Sequence, residues 1–452
     1  MPSIVHSKLS KKGTVTILVG HQKPSLFPAY DLREKELRNV SVLFRLFELV
    51  PTLARDIFGE IGVNVGKRVK AKYLTEVVFE DFECDRPDGY VAINNWQALI
   101  EAKCDANSLD KDQVNRYVSI AKHHKLDAVI TISNEMVARP DHHPCYRLTK
   151  SEVKRLSLYH FSWQHIFTRL CLWAERDDEI DSEQQALLMD FRNFLSSKAS
   201  GLRRFDQMGR SWKPLLRDIG RLATSETLPS KNQDVRSVVR DWFFEERDLA
   251  LKLSEQLKVP VKLSIPRKYL GGNKSEERLH AVSKEMAQHL YLETKLIIPG
   301  AADNLCLRAN LAHRKIEASM KLKAKQDSLT TKGRVGWLKN MLKNIEIEYR
   351  ETTFVIFRWA GKRDPLIYSV DEIFQWKKVP ADFPPSPVTN FEIRMITDNT
   401  SAFQSPSKFI GELEHLASVF YWQVGERLKK WVPNPPRLDQ VIEPESIKKT
   451  RY

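Results

Sequence analysis

Residues 87–104 run Pro87-Asp88-Gly89-Tyr90-Val91-Ala92-Ile93, then Asn94-Asn95, then Trp96-Gln97-Ala98-Leu99-Ile100-Glu101-Ala102-Lys103-Cys104. Pro87-Asp88-Gly89 reads as a turn, 88–93 as a strand, Asn94-Asn95 as a second turn and 97–103 as a second strand, which together make a β-hairpin. Glu101 and Lys103 are two residues apart, so both project from one face of their strand. Pairing across the hairpin brings Asp88 close to opposite Glu101. A carboxylate and an ammonium inside the otherwise apolar run 98–104 are costly to bury unless each is satisfied, so the pair marks a site.

Working outward, the N-terminal side carries Leu37, Val40, Leu43, Phe44, Phe47, Val50, Leu53, Ala54 and Ile57 at three- and four-residue intervals. That spacing predicts a helix with one apolar face, kinked or split at Pro51 and closed by Gly59 and Gly62. Residues 69–79, rich in β-branched and aromatic types, predict a strand. On the C-terminal side, 110–124 predicts a helix that buries Val114, Tyr117, Val118 and Ala121. Residues 127–133 (DAVITIS) predict a strand covered on both faces. Helix, three strands, helix, strand is the order of an α/β unit with a mixed sheet and helices on its faces.

Hydrolysis of a phosphodiester needs an activated water and positive charge for the phosphate. Divalent magnesium supplies both, and two carboxylates can suffice to hold it. Asp88 and Glu101 are the expected ligands. Ala102 points its side chain to the other face, but its backbone carbonyl can serve as a further metal ligand. Lys103 is expected to orient the attacking water or offset the developing charge.

With these residues in place, the chain resembles the PD-(D/E)xK nuclease superfamily: Pro87-Asp88, then Glu101-Ala102-Lys103, on elements in the order of that superfamily's restriction-endonuclease-like αβββαβ core. Gln113-Val114-Asn115-Arg116-Tyr117 is similar to the Q-x-x-x-Y element of its RecB-like branch. The resemblance covers residues 30–135. It implies a Mg2+-dependent endonuclease, with Mn2+ able to substitute. It also implies that Gln113 orients the centre, with Tyr117 beside it facing nucleic acid, and that a metal-supporting glutamate stands on the first helix, Glu34 in preference to Glu36. DNA is favoured over RNA as substrate, and defence against foreign DNA is the biological setting the superfamily suggests. The alternatives are a non-catalytic nucleic-acid-binding or scaffold subunit and an RNA-cleaving effector.

The rest of the chain is divided by its patterns into a basic segment at 1–30, the nuclease domain at 31–150, a helical region at 151–258, a basic α+β domain at 259–378, and a Pro-rich linker, last helix and tail at 379–452. Between Arg308 and Arg350 cations outnumber acids, and Lys321, Lys323, Lys325, Arg334 and Lys339 are candidate phosphate contacts, with Trp337 and Tyr349 interleaved. A solvated helix face would produce the same letters. The group Asp141-His142-His143-Pro144-Cys145 offers zinc-ligand types but has no second cluster at metal spacing and reads as a loop. Trp163 and His165 read as packing and capping residues. A P-loop and a dinucleotide fingerprint are both lacking.

The chain of 452 residues carries a formal charge of +14, with 72 Lys and Arg against 58 Asp and Glu, an excess that favours a polyanionic partner. No apolar run reaches the roughly 20 residues that span a bilayer. Five scattered cysteines suit a reducing compartment. A cytoplasmic protein is the expectation, with no membrane partner, and with a protein partner or homo-oligomer left open.

Overall fold

Two blocks of strand-forming sequence fold into two separate seven-stranded sheets, each with its own helical cover. The computed structural model describes residues 7–11, 14–31, 33–66, 71–82, 84–176, 179–222, 226–229, 232–271, 274–361, 363–398 and 400–432.

The first block comprises β1 (Ser7–Lys11), β2 (Thr14–Gln22), α1 (Lys35–Leu49), α2 (Pro51–Gly59), β3 (Ala71–Phe79), β4 (Gly89–Ile93) and β5 (Trp96–Ala102). It continues with α3 (Lys111–His123), β6 (Ala128–Ser133), β7 (Ser157–Ser162), α4 (Trp163–Ala174) and α5 (Ser182–Ser196). Its strands lie in chain order. Those from β1 to β5 are antiparallel, and β5, β6 and β7 are parallel, so the unit is mixed α/β with helices on both faces. Helices α1, α2, α4 and α5 cover one face around Phe44, Phe47, Ile100 and Trp163. Helix α3 covers the other with Val114, Tyr117 and Val118 against Leu99 and Val129.

Pro51 splits the first helix as expected. It stands at the start of α2, where its missing N–H costs nothing, while Val50 N–H still donates to Leu46 O at 2.7 Å. The segment expected as a basic lead-in, 1–30, is different: β1 and β2 pair and add to the edge of β3, with Leu18 buried. A nine-residue strand among lysines and turn residues shows its value only once an edge exists for it to pair with.

The second block comprises α6 (Trp212–Ile219), α7 (Gln233–Leu257), β8 (Lys262–Leu263), α8 (Ser275–His289), β9 (Tyr291–Ile297), β10 (Leu305–Asn310), β11 (Lys315–Lys323) and α9 (Thr331–Leu342). It ends with α10 (Ile347–Arg350), β12 (Thr353–Arg358), β13 (Leu366–Ser369), α11 (Val370–Gln375), β14 (Asn390–Thr397) and α12 (Pro406–Phe420). The sheet is antiparallel throughout, in the order β13-β12-β14-β11-β10-β9-β8. Strict alternation of buried and open residues along β10 and most of β11 packs one face on the helices and leaves the other bare.

Strand β14 lies between β11 and β12, so a domain boundary at 378 would cut this sheet, and the Pro-rich stretch before it is a connection inside one unit. The expected tail at Pro433-Asn434-Pro435-Pro436 lies outside the described residues. Among the described residues no helix is long and apolar enough to cross a membrane.

Candidate functional site

The hairpin of β4 and β5 closes through Asn94-Asn95, with Asn94 in the left-handed region at φ 52° as such two-residue turns demand. Its last ladder pair is Gly89 with Ile100, so one further step sets Asp88 across from Glu101. Gly89 is obligatory here: a Cβ would stand 2.6 Å from Cε2 of Phe44, whose ring presses α1 onto the hairpin mouth. Asp88 Oδ2 accepts a hydrogen bond from Ala102 N–H at 2.7 Å. A strand residue's N–H and C=O lie towards the same edge, so Ala102's carbonyl also faces the Asp88 side.

The main chain of Lys103 is fixed from two directions. Its N–H donates to Ile132 O at 2.8 Å, and its carbonyl accepts from the Trp163 indole at 3.0 Å. Trp163, fully buried, thus sets where the lysine side chain starts. Ser162 opens α4 as an N-cap, its hydroxyl accepting from His165 N–H at 3.0 Å.

Glu101 is 2% exposed. Its Oε1 forms an ion pair with the Lys103 ammonium and accepts from Gln113 Nε2 at 2.7 Å. Gln113 and Tyr117, one turn apart on α3, are joined by a 3.1 Å hydrogen bond, and the Tyr117 hydroxyl donates to Arg86 O at 3.4 Å. Glu101 Oε2 is buried with no hydrogen-bond partner among the described residues. Burial, with the charge of Glu101 adding to it, pushes the Asp88 carboxyl well above the usual range. Burial also raises Glu101, against the opposing pull of Lys103. Burial would lower Lys103, but the charge of Glu101 and the hydrogen bond to it outweigh that and hold the ammonium above its ordinary value.

Of the two glutamates at the start of α1, the structure brings in Glu36. Its Oε1 accepts from Cys104 N–H and from Asn107 Nδ2, both at 3.1 Å, and its charge bears on both Asp88 and Lys103. Glu34, the expected one, is exposed, and its carboxylate turns back to accept from Asp31 N–H at 2.9 Å. Both line an open cleft of about 700 Å³ together with Arg33, Asp88, Lys103 and Asn107. Arg33 at that rim has no signature in the sequence.

The basic candidates scatter. Lys321 and Lys323 stand exposed on the bare face of the second sheet, and Lys325 pairs with Asp327 at 3.4 Å. Arg334 is buried and donates to Ser328 O at 2.8 Å and Val388 O at 2.5 Å, so it is a structural residue and not a phosphate contact. Lys339 is likewise engaged, donating to Phe374 O at 3.4 Å and lying over that ring. Arg334 faces the packed side of α9, whereas Lys339 is only half-buried.

His143 does not serve a metal. Tyr146 N–H donates to its Nδ1 at 3.1 Å, which leaves Nε2–H to donate to Thr131 Oγ1 at 2.9 Å. The threonine donates in turn to His160 Nδ1 at 2.8 Å, and His160 Nε2–H donates to Glu135 O at 2.8 Å. Burial keeps both imidazoles neutral, with His160 lowered to about 4. His165 lies 3.1 Å from Glu60 and accepts from Arg247 at 2.7 Å, which links the end of α2 to α4 and α7.

No protein-family model, curated protein or solved structure matches the chain. The donor set between Asp88 and Glu101 does suit a hard divalent cation. It is all oxygen, includes an orphaned buried carboxylate oxygen, and with Glu36 sets three carboxylates against the single ammonium of Lys103.

Proposed function

We propose that this chain is a Mg2+-dependent nuclease of the PD-(D/E)xK type, accepting Mn2+ in place of Mg2+, that hydrolyses phosphodiester bonds in nucleic acid, DNA foremost. One observation carries the reading: Asp88, Glu101 and Lys103 converge at the mouth of one hairpin, with Glu101 Oε2 buried and unpartnered. The order α1, β3, β4, β5, α3, β6 supports a restriction-endonuclease-like core, to which β1, β2 and β7 are additions.

Asp88, Glu101 and the Ala102 carbonyl would hold the cation, which when bound supplies charge for the phosphate oxygens and acidifies water. The protein's own groups do the rest. Lys103, ion-paired with Glu101 at the same point, would orient the attacking water or offset the charge developing on the phosphate. Gln113 fixes one oxygen of Glu101 and is itself fixed by Tyr117, which leaves the other oxygen available. Glu36 ties the first turn of α1 to the end of β5, which keeps the cleft wall in place. The cleft is open, as a polymer substrate requires, and exposed Arg33 at its rim suits a phosphate.

The test is cleavage of supercoiled plasmid, single-stranded DNA and RNA with Mg2+, Mn2+ or EDTA. Glu101→Gln and Lys103→Ala should each lower the rate by at least about a hundredfold with the fold intact by circular dichroism. Cleavage that ignores EDTA or survives both substitutions contradicts the assignment. Metal-dependent binding without cleavage of any polymer would favour the scaffold reading.

A further inference from the structure

Helix α7 packs against α4 of the first block and against α8 and α12 of the second, and one stretch of it is acidic on its buried side. Glu245 and Asp248, one turn apart, are both 0% exposed. All four of their carboxylate oxygens are buried with no hydrogen-bond partner among the described residues. Glu414 on α12 faces them, and a ligand oxygen from each of the three carboxylates lies within 4.8 Å of the others. Two fully buried acids with no donor aimed at either is an arrangement that folding does not leave uncompensated.

The neighbouring cations do not supply the compensation. Lys252 is ion-paired to Glu414. Arg204 is engaged with Glu255 at 2.5 Å. Three carboxylates against one ammonium leave two negative charges, the charge that one divalent ion neutralises. Burial, then Glu414 and Asp248, push the Glu245 carboxyl well above its usual range. Burial raises Asp248 to about 7, with Arg204 opposing. The buried oxygens converge within reach of a single cation.

We propose a second divalent-cation site, formed by Glu245, Asp248 and Glu414 where α7 meets α12. Its donors are all carboxylate oxygens, with no imidazole or thiolate among them, so it selects a hard ion of the Mg2+, Mn2+ and Ca2+ class. Glu414 keeps some exposure and gives the ion a path inward. The bound ion clamps α12 to α7, two of the helices that pack on the second sheet, and its role is structural rather than catalytic. The proposal is independent of the nuclease assignment, since none of these residues belongs to the hairpin site.

The test uses the full chain carrying Asp88→Asn and Glu101→Gln, so that the first site no longer counts. Equilibrium dialysis against Mn2+ should then show one ion retained per chain, and Mn2+ should raise Tm. Adding Glu245→Gln and Asp248→Asn should weaken that binding at least tenfold and abolish the Mn2+-dependent shift in Tm, with an unchanged far-UV spectrum. Parallel arms with Mg2+ and Ca2+ identify the preferred ion. No retained Mn2+ in the first variant, or retention undiminished by the second pair of substitutions, overturns the proposal.

Discussion

Two donors meet on one oxygen of Glu101, the Lys103 ammonium and the Gln113 amide, and the neutral one decides how the carboxylate is turned. Gln113→Ala should therefore weaken metal use rather than remove chemistry. Activity should fall roughly 10- to 100-fold at limiting Mn2+, with part of it restored as Mn2+ is raised. A metal titration checks this, and an unchanged Mn2+ requirement would mean that Gln113 only packs. At this scale much of the site was legible. A strand's two-residue period forces Glu101 and Lys103 to one face, and the four-residue step from Gln113 to Tyr117 forces those onto one helix face. The choice between Glu34 and Glu36 was not legible, because it depends on where the chain enters α1. Glu34 is the residue that precedes the helix, so its carboxylate serves the local turn, and Glu36 inherits the position over the strand end. Arg334 misled for a similar reason: composition counts a cation, while burial and two carbonyl acceptors decide what it does.

The hairpin of β4 and β5 works as an element only because α1 sits tightly on it. Gly89→Ala would drive a Cβ into the Phe44 ring and cost roughly 1–3 kcal/mol, since neither the ring nor the strand has room to move. Urea denaturation should show the loss as a lower midpoint, and an unchanged midpoint would contradict the close approach. Elements with a strong period of their own were legible: α1 with its break at Pro51, α3 and the buried β6. Those that depend on a partner were not. Strands β1 and β2 form against the edge of β3, and β14 takes its place between β11 and β12 after a Pro-rich stretch that reads as a linker. Helix α8 buries Leu279, Met286 and Ala287, too thin an apolar stripe among charges to announce a helix.

Across the whole molecule, α7 joins the two sheets. Its Glu255 accepts from Gln164 and Thr168 of α4 at 2.8 and 2.7 Å, and its Arg247 donates to His165. Glu60 completes that junction. Burial would raise its carboxyl, but His165, then Arg169 and Arg247, hold it at about 2. The candidate site thus belongs to a unit buttressed by the rest of the chain, with the bare face of the second sheet left open and Lys321 and Lys323 displayed on it. The proposed chemistry, however, needs one cation between two strands. Diffraction from crystals grown with Mn2+, recorded at the manganese edge, tests that most directly. An anomalous peak is expected between Asp88 and Glu101, within ligand distance of the Ala102 carbonyl. Full Mn2+ occupancy elsewhere with no peak there, in a buffer that supports cleavage, would contradict it.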